Sequence, residues 1–516
     1  MEKKTSRKQD LLAERQAQKL ERKAREAKAK KKASLTNALI IAVVVVLVVL
    51  AVGLFAYKQV VVSGVIERHT TAYSSENYEV TESMFTYYFN NIYVGSQSTL
   101  SSYGLDTSKT LEEQSSFYDL VLSQAKAQSE QYLILCEAAK AAGVELDRDD
   151  LAGIEEEISH LKEQAREYGY PSTNDFIRRM CGTCVNIKDV EKCLKLNALA
   201  TKYAQMVTDE KVCTDEEINT YFDEHSEEYE TIDFLMYSFP ALKDSDGNLD
   251  ADSVAEMKAK AAELATKNDE ESFTAYVEAY VTETKSAGLE EGEEPDQDAI
   301  DTAVNAIKKS MTLSEAKTSV SDVYEWLSSD DTPVNGTTVF ENNETGEYLA
   351  YLKLTTPYRE EYVTRNAALV LFENSENTDA DGAAANASEF IARFEESETK
   401  NFETFTTIGK EFSDHVSSAL SENIKKDDTS AAEVVTWLYT DGRSVGDYGT
   451  ATTSDGVYAI FYDSDGKIAW MSDVETQLKS DAYAARYEEF EAAYAVTAVD
   501  DVISGVRSVS LSTSSN

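Results

Sequence analysis

Apolar residues recur at helical spacing from residue 80 to about residue 230. In the stretch VTESMFTYYF, Val80, Met84 and Phe85 fall on one side of a helix, and Thr81 stands where a helix-capping residue is expected. The same spacing predicts further helices that begin at about Leu111, Leu151, Ile187 and Thr214. The pattern therefore predicts an α-helical domain over residues 80–230.

Beyond Tyr229 the spacing changes from that of a helix to the alternation of strands. The stretch TIDFLMYSF at 231–239 predicts a strand, which a polar loop and an amphipathic helix follow. The stretch VTRNAALVLF at 363–372 predicts a second strand, and again a polar loop and a helix follow. Each segment indicates a module of strands and helices, so the predicted fold class is α+β.

The closing parts of these two modules also match. Residues 325–352 and 436–462 each have the pattern of a helix end, a turn, a short strand, a second turn and a closing strand. Trp326 corresponds to Trp437, which lies 111 positions later. The chain is thus predicted to hold two copies of one module. The predicted boundaries are 231–360 and 361–470 for the modules and 471–516 for a C-terminal helix and polar tail.

One segment near the N-terminus is apolar throughout. The run ALIIAVVVVLVVLAVGLFAY, from Ala38 to Tyr57, has 20 residues and no charge. That length crosses a hydrocarbon layer of about 30 Å at about 1.5 Å per residue. A cleaved signal peptide would have a shorter apolar core and a small-residue cleavage site. We therefore expect one transmembrane helix over residues 36–57, between a tail over 1–35 and a linker over 58–79.

Charge is divided unevenly between the two sides of this span. Residues 1–35 carry 13 Lys and Arg against 5 Asp and Glu, a net charge of +8, which leaves −53 for the remainder of a chain whose total is −45. By the positive-inside rule, we expect a single-pass protein of the cell membrane with a cytoplasmic N-terminus and an extracytoplasmic C-terminal region. The basic tail is sufficiently explained by membrane topology, and the acidic remainder would repel nucleic acid. No nucleic-acid partner is expected.

Five cysteines lie in one part of the chain: Cys136, Cys181, Cys184, Cys193 and Cys213. An odd number leaves at least one thiol unpaired or bonded elsewhere. For CGTC at 181–184, three interpretations stay open: buried thiols without chemistry, a local disulfide, or a redox or metal site. The last lacks a preceding strand and a second Cys or His pair. The loop DSDGNLDAD at 244–252 has Leu249 where a calcium-binding loop needs Gly. We expect neither a metal nor a cofactor.

The second module resembles a parvulin-type prolyl isomerase domain. The resemblance rests on FETFTTIGKEFSDHVSSALSENI at 402–424 and on the closing stretch at 436–462. The helical domain is similar to the N-terminal chaperone domain of SurA-like and PrsA-like foldases, through VTESMFTYYF and through VCTDEEINTYFDEHSEEYE at 212–230. The helix from Asp473 matches the trailing helix that returns to the chaperone domain in that family. The resemblance implies a foldase or holdase that binds unfolded or newly exported polypeptides.

The modules depart from the parvulin pattern in one respect that bears on catalysis. Catalytic parvulins carry histidines on their first and closing strands. The corresponding strands FLMYSF, ALVLF, GEYLAYL and GVYAIFY contain none. His415 falls in a loop, where we expect it to be solvated. The resemblance therefore implies modules without catalytic residues. An active prolyl isomerase and a surface structural protein remain the alternative functions.

A holdase needs an apolar surface that accepts unfolded segments. Two predicted helices carry aromatic and methionine side chains that suit this role. The candidate client-binding residues are Met84, Phe85, Tyr88, Phe89, Tyr221 and Phe222. The same side chains fit a hydrophobic core equally well. Both interpretations stay open at the level of sequence.

Overall fold

The computed structural model describes residues 64–510 apart from 288, 290–294, 375–379, 414, 418–419 and 430. The predicted transmembrane helix and the basic tail lie outside the described residues. Within the described part, no helix has the length and apolar character needed to span a membrane. The chain divides into two units: the residues up to Glu210 with those from Ala482 onward, and Lys211–Asp481. The fold class is α+β, as predicted.

Helices build most of the first unit. Its N-terminal part contains strands β1 (Thr71–Ser74) and β2 (Glu79–Thr81) and helices α1 (Glu82–Gly95), α2 (Gln97–Ser102), α3 (Ser115–Ala141), α4 (Arg148–Glu167), α5 (Thr173–Cys181) and α6 (Ile187–Glu210). Thr81 caps α1 as predicted, because its hydroxyl accepts a hydrogen bond from the Met84 N–H at 3.4 Å. The apolar face of α1 packs against α3 and α6. The segment predicted as a linker includes β1, whose Tyr73 is buried in the same core.

The second unit begins with two short helices and a four-stranded antiparallel sheet. Its elements to residue 353 are α7 (Asp215–Glu224), α8 (Ser226–Tyr229), β3 (Thr231–Pro240), α9 (Ala251–Leu264), α10 (Glu270–Ser286), α11 (Gln297–Asn305), β4 (Lys308–Thr312), α12 (Leu313–Ser319), α13 (Tyr324–Ser328), β5 (Thr337–Asn342) and β6 (Glu347–Lys353). The strand order is β4-β3-β6-β5. Leu235 packs on one face of the sheet with α9 and α10, and Phe234 packs on the other face with α12 and α13. Side chains on both faces of β3 are therefore buried.

A second antiparallel sheet of the same unit follows. Its elements are β7 (Val363–Glu373), α14 (Ala380–Glu395), α15 (Phe402–Gly409), β8 (His415–Val416), β9 (Ser421–Ile424), α16 (Ala432–Leu438), β10 (Tyr448–Thr452) and β11 (Gly456–Ile468). The order is β10-β11-β7-β8, with β9 also paired to β7. In both sheets the closing strand lies between the first strand and its hairpin partner. Gly346 and Gly456 stand at corresponding hairpin turns with φ of +82° and +153°, which glycine adopts without strain.

The C-terminal part of the chain returns to the first unit. After helix α17 (Ala469–Ala493) come strand β12 (Thr497–Ala498) and helix α18 (Asp500–Ile503). β12 pairs with β1 in an antiparallel manner, and Phe490 packs against Tyr203 with ring centroids 5.7 Å apart. Residues 505–510, which we call the C-terminal segment, have no regular secondary structure.

Candidate polypeptide-binding groove

The apolar face of α1 lies in the core of the first unit. The candidate client-binding side chains on this helix, Met84, Phe85, Tyr88 and Phe89, are 2, 1, 3 and 0% exposed. They are brought together, but as core residues, since α3 and α6 cover them. In this conformation they offer no surface to a client.

The other two candidates lie on α7 in the second unit and also make packing contacts. Phe222 is buried against Trp470, with ring centroids 4.8 Å apart. Tyr221 is half-buried, stacks on His225 at 4.3 Å and donates a hydrogen bond to Asp481 at 3.2 Å. Neither residue belongs to an open apolar patch.

A different face of α1 carries polar residues at intervals of four: Glu82, Thr86 and Asn90. Asn90 is 0% exposed, and a buried amide is costly unless it is hydrogen-bonded. Its Nδ2 donates to the carbonyl oxygens of Thr86 at 3.1 Å, Cys181 at 3.2 Å and Arg507 at 3.1 Å. Its Oδ1 accepts from the Val509 N–H at 2.7 Å. Asn90 thus binds the main chain of the C-terminal segment through both ends of its amide.

The spacing of these two contacts shows how the segment is held. A carbonyl of one residue and an N–H two residues later face the same side of an extended chain. The Arg507 carbonyl and the Val509 N–H meet the same side-chain amide. Asn90 therefore takes the place that a peptide group of a neighbouring strand has in a β-sheet.

Glu112 and Tyr118 hold the same segment from other directions. The two carboxylate oxygens of Glu112 accept hydrogen bonds from the Ser508 N–H at 2.6 Å and the Ser508 hydroxyl at 2.8 Å. The Tyr118 hydroxyl donates to the Val506 carbonyl at 3.2 Å. Four of the five hydrogen bonds from Asn90, Glu112 and Tyr118 to the segment involve its main chain. Main-chain atoms are common to all sequences, so the site depends little on which residues occupy it.

The side chains of the segment divide between core and solvent. Val506 is buried and Val509 packs partly against the core of the first unit, whereas Arg507 is exposed. The hydrogen-bonding groups and the apolar floor together form a groove, which we call the Asn90 groove. Val506 and Val509 contact the floor of this groove, and the Arg507 side chain faces solvent.

A cavity of about 620 Å³ adjoins the C-terminal segment. Glu82, Thr86, Arg178 and Cys184 contribute to its walls. Burial raises the pKa of Glu82, and the charge of Glu67 adds to the shift. Among the described residues, neither Glu67 Oε2 nor Arg178 Nε has a hydrogen-bond partner, although both atoms are buried. The groove therefore opens into this cavity, and two buried polar atoms near it have no hydrogen-bond partner among the described residues.

The CGTC stretch forms one edge of the groove. The Cys181 carbonyl is an Asn90 acceptor, and Gly182 has φ of +119°, where a Cβ would lie 2.6 Å from Thr86 Cγ2. All five cysteines are free, so the local-disulfide interpretation is wrong. Burial raises the pKa of Cys181 to about 12 and that of Cys184 to about 11. The thiols stay protonated at neutral pH, and a protonated thiol is a poor nucleophile or metal ligand. No cluster of potential metal ligands occurs in the part of the chain that the structure describes.

The two sheets of the second unit carry no histidine on their first or closing strands. His415 was expected in a loop, but it lies in β8, where it pairs with Leu371 of β7. The same two-residue strand also pairs Val416 with Val370 of β7. Its side chain is exposed, with Nε2 3.4 Å from Glu373 Oε2. The sheets therefore lack the pair of histidines associated with the parvulin pattern.

Comparisons with known proteins do not assign the chain to a family. No family model matches it, and no curated protein matches it. It is similar to a crystal structure of the foldase protein PrsA from Streptococcus pneumoniae, with 15% sequence identity and a TM-score of 0.21, over 64% of this chain and 90% of that chain. A likeness at this TM-score indicates neither fold nor function.

Proposed function

We propose that this protein is a foldase or holdase chaperone that binds extended segments of unfolded, newly exported polypeptides in the Asn90 groove. One observation carries the proposal: an irregular segment of the chain itself is held there mainly through its main chain. Main-chain recognition gives affinity without strict sequence selection, as in other modes of extended-peptide binding. A chaperone needs that combination, because its clients differ in sequence.

A client enters the groove in exchange for the C-terminal segment. The client's carbonyl and N–H groups replace those of Arg507, Ser508 and Val509, so hydrogen bonds are exchanged rather than lost. The adjoining cavity provides room for flanking side chains of the client. Because the segment competes for the groove, the apparent affinity for clients is lower than the intrinsic affinity.

The charge of the chain favours particular clients. The net charge of −53 after residue 35 keeps complexes with unfolded protein soluble and repels acidic segments. Neutral and basic segments are the preferred clients, and salt weakens binding where charge dominates.

The two strand-and-helix modules act as non-catalytic, parvulin-like scaffolds in this proposal. Prolyl isomerisation requires a barrier of about 20 kcal/mol to be lowered in a shaped polar pocket. The strands that would supply the polar groups have apolar residues instead, such as Leu235 and Ala368. No observation favours an active isomerase or a surface structural protein over a chaperone.

The proposed location is the outer side of a cell membrane. The basic residues 1–35 and the apolar run from Ala38 to Tyr57 support an anchor with a cytoplasmic N-terminus. Protease added to intact cells should digest the acidic region and leave a small membrane-bound fragment. Protection of the large region until the membrane is permeabilised would reverse this orientation.

The function is tested by aggregation of an unfolded substrate protein. The full-length protein in detergent should suppress aggregation at near-stoichiometric amounts. An excess of a peptide with the sequence of residues 505–510 should abolish the effect, because it occupies the Asn90 groove. The same peptide N-methylated at the positions of Ser508 and Val509 should not compete, since it lacks the two N–H groups that Glu112 and Asn90 accept.

Three outcomes would contradict parts of the proposal. No suppression would exclude the chaperone function. Suppression that the unmodified peptide leaves unchanged would place the client site outside the Asn90 groove. Faster cis-to-trans conversion of a model Xaa-Pro peptide, relative to a control protein, would show that a catalytic centre exists without histidines.

A further inference from the structure

The second unit contains a cavity of about 410 Å³ that has no part in the Asn90 groove. Five stretches of the unit form its walls, at residues 228–231, 310–315, 360–362, 425–427 and 469–473. These stretches include the ends of α8 and β4 and the starts of β3 and α17. The volume is within the range of sites that hold small organic groups.

Five carboxylates and one ammonium group line this cavity. Three of the carboxylates already have partners. Glu228 lies 3.2 Å from His225, Glu315 accepts the Thr312 N–H at 2.9 Å, and Asp473 pairs with the ammonium of Lys425. The remaining two carboxylates belong to Glu360 and Asp427.

Glu360 and Asp427 are the two lining carboxylates that form no ion pair among the described residues, although Lys426 lies near Glu360 and Asp427 is exposed to solvent. The Glu360 carboxylate has no hydrogen bond or ion pair within the described portion of the chain, and Asp427 accepts one hydrogen bond, from the Tyr362 hydroxyl at 3.4 Å. Burial raises the pKa of Glu360, and the charges of Asp427 and Asp233 add to the shift, against a smaller opposing effect of Lys426. Carboxylates held together in this way gain from a cation placed between them.

Aromatic rings form another part of the wall. Trp470 is 4% exposed, and its indole N–H has no acceptor among the residues described. Cations of the chain already lie over these rings: the Arg359 guanidinium is 4.2 Å from the Trp470 ring centre, and Lys426 Nζ is 4.5 Å from that of Tyr362. Rings of this kind attract guanidinium and ammonium groups through their electron-rich faces.

The arrangement of the carboxylates indicates which kind of cation suits this cavity. Among the described residues, no three carboxylate, thiol or imidazole groups come close enough together to hold one. The carboxylates are instead spread along the wall beside aromatic rings. An extended organic cation matches that distribution, because its charge and its apolar stem contact different parts of the wall.

We propose that this cavity binds an arginine or lysine side chain of a basic polypeptide segment, with the cationic group between Glu360 and Asp427 and the stem against Trp470. The inference rests on the proposed function only in that the side chain is taken to belong to a client. Binding at this cavity would make the second unit favour clients with basic side chains.

The test compares two peptides that differ in one charge. Full-length protein in detergent is titrated by calorimetry with Gly-Gly-Arg-Gly-Gly and with the same peptide containing citrulline, which has nearly the shape of arginine but no charge. The arginine peptide should bind at least about tenfold more tightly than the citrulline peptide. This ratio of dissociation constants is expected when one charge-assisted hydrogen bond is lost. Excess calcium chloride should weaken binding no more than sodium chloride of equal ionic strength.

Matched variants assign the effect to the cavity. Glu360→Gln and Asp427→Asn keep the side-chain shape and should each weaken arginine-peptide binding at least about fivefold. Glu422→Gln removes the same charge from an exposed position of β9 outside the cavity and should leave binding unchanged. Equal binding of the two peptides, no binding of either, or equal losses in Glu360→Gln and Glu422→Gln would overturn the proposal.

A competition experiment separates this site from the chaperone groove. Excess peptide with the sequence of residues 505–510 should occupy the Asn90 groove and leave arginine-peptide binding unchanged. If aggregation is suppressed but the arginine peptide does not bind, the cavity proposal alone fails. If the arginine peptide binds but aggregation is not suppressed, the chaperone proposal alone fails.

Discussion

A chain that ends after Ser504 should bind unfolded polypeptide at least about tenfold more tightly than the full chain, a difference of about 1.4 kcal/mol. The truncation removes the residues that occupy the Asn90 groove and leaves Asn90, Glu112 and Tyr118 in place. Each lost hydrogen bond to the segment contributes only about 0.5–1.5 kcal/mol net, so several together are enough for this change. Anisotropy of a labelled, permanently unfolded client segment measures the affinity.

Truncation also removes Val506 from the core, so folding must be checked. Ile503 and Phe490, which are buried in the same cluster, remain in the shortened chain. A peptide with the sequence of residues 505–510, added to the truncated protein, should bind and return the client affinity toward that of the full chain. If the truncated protein keeps a cooperative thermal transition but binds client no more tightly, the C-terminal segment is only a part of the fold.

Local signals in the sequence were enough to find the main elements. Thr81 and Thr214 each precede a helix and cap it as predicted, because a cap depends on residues within one turn. The strands at β3 and β7 were found from apolar runs that lie between polar segments. β1 also pairs with β2, which is near in the chain, but its pairing with β12 could not be predicted this way, since β12 lies more than 400 residues later and is two residues long. Such pairing is set by the whole fold.

The sequence predicted helix α1 but not the role of Asn90 on it. Apolar spacing predicted that α1 is a helix with a buried face, but this spacing marks burial and does not distinguish a core from a binding surface. The adjacent residues Asn90 and Asn91 show the difficulty, because one is fully buried and the other exposed. The partners of Asn90 are Cys181, Arg507 and Val509. They are distant in the chain, so only the folded structure shows that this asparagine binds the main chain of the C-terminal segment.

Asn90→Leu should destabilise the first unit by about 2–4 kcal/mol and reduce client binding at least about tenfold. Leucine has a similar size but leaves the carbonyls of Cys181 and Arg507 and the Val509 N–H without their partner, and each buried group left unpaired costs about 1–3 kcal/mol. Asn91→Leu is the matched control, since it makes the same change at an exposed position of the same helix. Chemical denaturation measures the stability of both variants.

Hydrogen exchange and client affinity then show which role Asn90 has. The Ser508 and Val509 amides should exchange faster in Asn90→Leu and at the normal rate in Asn91→Leu, because only the first substitution releases the segment. Both Asn90→Leu and the truncation free the groove of its occupant, yet they should change client affinity in opposite directions. The truncation keeps the Asn90 amide, which we propose binds the client main chain, and the substitution removes it. An increase in affinity for Asn90→Leu would mean that Asn90 holds only the C-terminal segment and that clients bind elsewhere.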